Sequence, residues 1–212
     1  EGEYEWPRWC FLPLNAWLAI SERRHEGEDP HETASRMNTI AAPSTWRYTQ
    51  GVYEFDSDIY TELMASEFIG KLPSDALLRL PEWCVYIKTP LFSDDGGDIE
   101  GFFVLLEFDA NTGRGLSIDM LEAKIEFDHM RSLAKQLLRL VLYLCTEEPE
   151  IENRSTPDWL PRNPQPKKVR GEFRMMPAKK PHHYMIGART GAMLRKARRE
   201  AFEHEPTGRT GT

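Results

Sequence analysis

The sequence predicts an α+β fold: a mainly antiparallel sheet packed by a long central helix, with a Pro-rich basic C-terminal extension. Three observations predict it. Between Asp128 and Glu147, Met130, Leu133, Ala134, Leu137, Leu138, Val141, Leu142 and Cys145 recur at three- and four-residue steps, while Ser132, Lys135, Gln136, Arg139 and Tyr143 take the opposite stripe. Two runs with little polar interruption, Trp83 to Lys88 and Gly101 to Phe108, read as strands, and Asn-Thr-Gly turn chemistry within Ala110 to Gly115 joins the second to Leu116 to Leu121 as a hairpin. Beyond Ile151 the chain turns basic and carries Pro157, Pro161, Pro164, Pro166, Pro177 and Pro181. The division this suggests is an acidic α+β domain over 1–160 and a basic extension over 161–212 ending in a short helix.

The elements follow in order. Glu1 to Glu5 is an acidic start, followed by Trp6, Trp9, Phe11 and Trp17, aromatics that read as a lid on the core or as a peptide-contacting surface. Leu14 to Arg24 has helical propensity, the charged run Glu22 to Glu32 is a loop, and a short helix over His31 to Ala41 is ended by Pro43. Thr49 to Phe55 has β-character, and Ser57 to Phe68 returns to helical spacing through Ile59, Leu63 and Met64. Ser74 caps a short helix that Pro81 stops. Trp83 to Lys88 is apolar almost throughout, which predicts a strand covered on both faces. Pro90 to Asp98 is an acidic loop, and Ala123, Ile125 and Phe127 continue in the opposite register to Leu116, Ile118 and Met120, implying a bulge near Glu122. Asp128 caps the central helix and Pro149 follows its end; Leu140 and Leu144 widen its apolar stripe, so its second half should be covered on nearly all sides. Ile151 to Pro181 reads as irregular or polyproline-like, Tyr184 to Ile186 as an edge strand, and Thr190 as the start of a last helix.

Hydrophobic residues make up 40% of the chain, enough to close one core. The net charge of -7 conceals a division: Glu1 to Leu160 holds 14 basic and 30 acidic side chains, Pro161 to Thr212 holds 13 basic and 4 acidic. A basic tail on an acidic body either reaches for a polyanion such as RNA or lies back on the body. No apolar stretch reaches the roughly 18 residues a membrane span requires, since Arg139 breaks the longest. The chain shows no signal-peptide pattern at its first residues, begins at Glu1 and ends in a polar Gly-Thr run, which reads as a segment of a longer product. Cys10, Cys84 and Cys145 are odd in number and unrelated in spacing, which predicts reduced thiols and a cytoplasmic setting.

Catalytic signatures are not found. The sequence has neither a phosphate-binding Gly-rich loop nor a Gly-x-Gly-x-x-Gly, and Cys84 and Cys145 have no His or Cys at zinc-ligand spacing, so no cofactor, metal or catalytic residue is expected. Asp94, Asp95, Asp98 and Glu100 around Gly96 and Gly97 miss the calcium-loop spacing and read as a solvated hairpin tip. Asp119, Glu126, Asp128 and His129 would be needed together for a metal-dependent nuclease, a convergence that spacing does not establish. His182 and His183, beside Lys179 and Lys180, read as part of the basic surface. Arg195, Lys196, Arg198 and Arg199 are the candidate nucleic-acid contact, against the plainer alternative of a solvated or internally paired helix face.

Four stretches resemble a type V-A anti-CRISPR family of phages and plasmids. They are Trp46-Arg47-Tyr48-Thr49-Gln50-Gly51-Val52-Tyr53, Leu80-Pro81-Glu82-Trp83-Cys84-Val85-Tyr86-Ile87, Ile99-Glu100-Gly101-Phe102-Phe103, and Leu142-Tyr143-Leu144-Cys145 leading to Glu148-Pro149-Glu150-Ile151. The resemblance runs in order from about Trp46 to Ile186-Gly187, and Leu-Pro-Glu-Trp-Cys-Val-Tyr is its most specific part. It implies a non-enzymatic inhibitor acting in the bacterial cytoplasm, whose partner is the N-terminal peptide of the type V-A CRISPR effector nuclease. The resemblance further implies that recognition during synthesis leads to loss of the effector's mRNA, with the ribosome or the message as further contacts. An emerging peptide is extended and unpaired, so a sheet edge or an aromatic cleft would capture it. Trp46, Tyr48, Trp83 and Tyr86 are the candidates for such a cleft, although aromatic residues are more often core. The alternative function is an RNA-binding regulator working through the basic C-terminal helix.

Overall fold

The computed structural model describes residues 41–67, 74–77, 79–92, 98–109, 113–119, 137–155 and 166–203. In chain order these form α1 (residues 41–46), β1 (Gly51–Phe55), α2 (Ser57–Ala65), α3 (Ser74–Leu77), β2 (Cys84–Phe92), β3 (Asp98–Asp109), β4 (Gly113–Asp119), α4 (residues 137–144), β5 (Ile151–Asn153), β6 (Lys167–Val169), β7 (Glu172–Arg174), β8 (His182–Ile186) and α5 (Ala188–Glu203). The aromatic cluster at Trp6 to Trp17, the helices expected before Ala41, Asp94 and Asp95, Ala123 to Phe127 and the first half of the central helix lie outside the described residues.

The α+β class holds, but the sheet is mixed. Its six strands run β4-β3-β2-β1-β8-β5, antiparallel at both margins and parallel in the middle, where β1 pairs with β2 on one side and β8 on the other. A tight hairpin can join only antiparallel neighbours. The chain leaves β1 through α2 and α3 before returning as β2, a crossover that brings it back in the same direction. The strand expected at the edge, Tyr184–Ile186, is interior: β8 lies between β1 and β5, and Tyr184 and Ile186 are buried. Residues from the basic extension and from the acidic body thus share one sheet.

Two proline readings change as well. Helix α1 passes through Pro43, whose carbonyl still accepts from the Arg47 amide at 3.0 Å, so only the proline's own N–H is lost. Strand β2 continues beyond Lys88 to Phe92, and the register against β3 shifts between Lys88 and Leu91. Pro90 sits in that irregularity, where it owes no hydrogen bond to the ladder. The β3–β4 hairpin is as expected, with strands longer than the apolar runs alone indicate.

The sheet carries side chains on both faces, as the uninterrupted apolar runs predict. On one face Tyr53, Phe55, Val85, Ile87, Phe102, Val104, Tyr184 and Ile186 meet Leu137, Leu140, Val141 and Leu144 of α4, with Ile59 of α2 alongside. No residue from 137 to 145 is exposed, which bears out the widened stripe. Cys145 is buried here, and desolvation pushes its thiol up to about 11, while Cys84 donates to the Ala42 carbonyl on the other face.

Glu150 fastens the last helix to this body. Its carboxylate accepts from the Arg189 amide at 2.6 Å, the Thr190 amide at 3.1 Å and the Thr190 hydroxyl at 2.8 Å, while its carbonyl receives the Gly187 amide. Partial desolvation alone would raise the Glu150 pKa, but these donors outweigh it and hold it below its ordinary value. Gly187 makes the turn at φ 72°, and a Cβ there would stand 2.7 Å from Ile59. We expect Glu150→Ala to cost about 1–2 kcal/mol in chemical denaturation, the range for a charged helix cap; an unchanged midpoint would show that the cap adds nothing.

Candidate functional site

The second face of the sheet holds the aromatic candidates. There Cys84, Phe103 and Leu105 pack under Ala41, Ala42 and Trp46 of α1, with Tyr86 alongside. The Trp46 ring lies edge-on to Tyr86 at 6.2 Å and to Phe103 at 5.7 Å, and Tyr86 and Phe103 are 4.9 Å apart. Trp46 is oriented by its indole N–H, which donates to the Gly51 carbonyl at 2.7 Å. Tyr48, two residues beyond, has the Arg47 guanidinium 5.2 Å from its ring centroid and accepts the Ala178 amide on its carbonyl. Trp83 immediately precedes β2. All four are half-buried rather than interior.

Their surroundings explain the partial exposure. Strand alternation puts Val52, Tyr86 and His183 in one row of this face and Glu54, Lys88 and Met185 in the next. Along β2 the face goes from buried Cys84 through half-buried Tyr86 to exposed Lys88, and Glu54 and His183 are exposed too. Helix α1 covers one end of the face only, so Trp46 and Tyr86 form a step beside an exposed strip. A Cβ on Gly101 would meet the Tyr86 hydroxyl at 2.6 Å, so the bare glycine is what lets that ring lie across β3.

Beside Gly51, whose carbonyl orients Trp46, lies Glu82, fully buried. Burial raises its pKa to about 8; Thr49 and Tyr53 stand beside the carboxyl and draw it partly back, yet neither oxygen is met at full hydrogen-bond geometry among the described residues. The Tyr53 hydroxyl is itself raised, by desolvation first and by Glu82 second, and its ring stacks on Tyr184 at 4.8 Å. Gly51 makes the assembly possible: a Cβ there would be 2.4 Å from Glu82 Oε2 and 2.8 Å from the Tyr53 ring. The preceding Gln50 adopts φ 53°, donates through its side chain to the Ala178 carbonyl at 2.8 Å and accepts the His182 amide at 2.9 Å. Thr49-Gln50-Gly51 and Leu80-Pro81-Glu82-Trp83, parts of two of the stretches that carry the family resemblance, are therefore one packed unit. Sequence reading missed Glu82, Gly51 and Phe103 as members of it; an acidic residue inside an apolar run was the available signal for the first.

The basic helix face is largely engaged within the molecule. Arg195 Nη1 and Nη2 donate to Asp56 at 2.9 and 3.0 Å, Nη1 also reaches Asp58, and Arg198 pairs with Asp58 and Glu62 of α2. The Arg195 hydrogen bonds hold the Asp56 carboxyl below its ordinary value, and Asp56 in turn caps α2 by accepting the Asp58 amide at 3.1 Å. Lys196 pairs with Glu200 along its own helix, and Arg199 is exposed. Two of the four candidate phosphate contacts thus serve to hold α5 on α2.

Among the described residues no group of three or more His, Cys, Asp or Glu could hold a metal ion, and no helix is long and apolar enough to cross a membrane. Glu126, Asp128 and His129 lie outside the described residues.

No curated protein matches the chain. A solved structure titled "Crystal structure of AcrVA2" is similar, with a TM-score of 0.64 and 24% identity over 91% of this chain and 78% of that one, a likeness of fold. The AcrVA2-like family, described as the anti-CRISPR type V subtype A2 family, matches residues 53–126 and 117–212. Those two spans run from Tyr53 within β1 through α5 and include Glu82, Tyr86 and the Glu150 cap, and on that match the chain belongs to the type V subtype A2 family of anti-CRISPR proteins.

Proposed function

We propose that this chain inhibits type V-A CRISPR by binding the N-terminal polypeptide of the effector nuclease as it is synthesised, in the cytoplasm of the bacterial host, and that binding leads to loss of the effector's mRNA. The anti-CRISPR family supports inhibition, and the half-exposed aromatic step supports a binder that makes and breaks no bond. A preformed wall of Trp46 and Tyr86, backed by Phe103, offers apolar area to an extended peptide at little cost in side-chain ordering. Glu54, Lys88 and His183 beside it supply polar groups at the rim.

The test is fluorescence anisotropy with a labelled peptide from the effector's N-terminus. Parent protein should bind in the micromolar range or tighter, and Trp46→Ala and Tyr86→Ala should each weaken binding by about tenfold, the effect of losing one anchor of about 1–2 kcal/mol. Absence of binding at tens of micromolar, or full affinity in both variants, would overturn the reading. In cells, removing the N-terminal codons from the effector should leave its message at the level seen without the inhibitor.

A further inference from the structure

Strands β6 and β7 stand apart from the sheet just described and pair only with each other. Arg170 and Gly171 join them at φ 51° and 88°, the two positive values of the tight turn that suits a right-twisted hairpin. Side chains from Lys167 to Arg174 contribute nothing to either core cluster. Lys167, Lys168, Arg170, Arg174, Lys179 and Lys180 are all exposed, and Glu172 is the single acidic residue in that stretch. Glu172 pairs with Arg174 at 2.9 Å, but both are more than half exposed, where such a pair holds weakly. Among the described residues no carboxylate pairs with Lys167, Lys168 or Arg170, in contrast to Arg195 and Arg198 on α5.

One face of this ribbon combines charge with an aromatic ring. Lys168 lies directly opposite Phe173, and Phe173 is 59% exposed, whereas the strand phenylalanines Phe55, Phe102 and Phe103 are buried. The ribbon is also anchored: just beyond it, Ala178 exchanges hydrogen bonds with Tyr48 and Gln50. A held, protruding, basic hairpin with a free ring opposite a lysine has complementary charge for a phosphate backbone and a platform for a base.

We propose that the β6–β7 hairpin binds single-stranded nucleic acid, with Phe173 stacked on a base beside Lys168 on one face, and with Lys167 and Arg174 of the other face and Arg170 of the turn reaching phosphates around the edge of the ribbon. This assigns the nucleic-acid contact to the hairpin and not to α5, and it stands independently of peptide binding at the Trp46–Tyr86 step. Charge attracts the strand regardless of sequence, and the ring discriminates a base-bearing polyanion from a bare one.

The experiment measures anisotropy of a fluorescein-labelled 20-nucleotide single-stranded RNA, with single-stranded DNA, duplex DNA, heparin and polyglutamate as parallel arms. Four phosphate contacts predict an affinity loss of about fifty-fold between 50 and 200 mM salt. The variant Lys167→Gln, Lys168→Gln, Arg170→Asn, Arg174→Gln should abolish binding while its thermal midpoint stays that of the parent. Phe173→Ala should weaken RNA or single-stranded DNA by about tenfold and leave heparin unchanged. Lys196→Ala with Arg199→Ala should change nothing. RNA binding tighter than DNA identifies a transcript or ribosomal strand as the source, and equal binding shows that the 2′-hydroxyl is not read. The proposal is overturned if no single strand binds at low salt, if duplex binds more tightly than single strand, if polyglutamate binds in its place, or if the α5 variant loses binding and the hairpin variant keeps it.

Discussion

Gly51→Ala should lower the free energy of unfolding by about 3 kcal/mol, the upper end for forcing atoms into a filled site. The added carbon would stand 2.4 Å from Glu82 Oε2 and 2.8 Å from the Tyr53 ring. A long acidic side chain at the surface would swing aside, but Glu82 is fully buried and Tyr53 is wedged against Tyr184, so neither has a free direction. The same position anchors Trp46 through its indole N–H, so the loss should extend to the aromatic step and weaken peptide binding as well. The check is the urea midpoint with the slope unchanged. A double-mutant cycle with Glu82→Ala isolates the contact: Gly51→Ala should be less costly in that background by more than 1 kcal/mol. Strict additivity would refute the steric account.

The second large effect is on the pH dependence of stability. Glu82 has an ordinary value of 4.5 and a folded value of about 8. The folded state therefore binds the extra proton between those limits, and unfolding releases it, so this group's contribution is full below pH 4.5, falls as pH rises, and is gone above about 8. Over that window the loss is on the order of 5 kcal/mol at most, taking 1.36 kcal/mol per pH unit. Asp56 and Glu150 act in the opposite direction: both are held below their ordinary values, so their contributions are present above those values and vanish as pH falls. The expected profile declines from mildly acidic toward alkaline pH, and Glu82→Gln, which cannot ionise, should flatten that decline. Chemical denaturation at pH 5, 6.5 and 8 on both proteins measures it; parallel profiles would mean that Glu82 does not carry the titration.

How far the residues alone lead differs from one region to another. Residues 137–145 and the β3–β4 hairpin are legible because their periods and turn residues are local signals that tertiary packing does not reverse. The order strand, helix, strand over Thr49 to Lys88 contained the hint of a parallel crossover, yet the neighbouring hairpin drew the reading toward an antiparallel sheet. Polarity and proline also misdirected it. Lys167 to Arg174 is too charged to register as strands, and only the positive φ values of Arg170 and Gly171 show the turn that pairs them. Aromatic content drew attention to Trp46 and Tyr86, but their meeting at Phe103 needs α1 to be laid across β2 and β3.

By itself the sequence determined the α+β class, the apolar surfaces that must be covered, the charge contrast between body and tail, and the motifs that mark an anti-CRISPR family. Only the tertiary structure decided the mixed sheet, the interior place of His182–Ile186, the commitment of Arg195 and Arg198 to the acids of α2, and the burial of Glu82 against Gly51. The reason is range: periodicity and turn chemistry act between residues a few positions apart, whereas strand partners, ion pairs and a buried carboxyl depend on groups far apart in the chain, whose meeting no local pattern encodes.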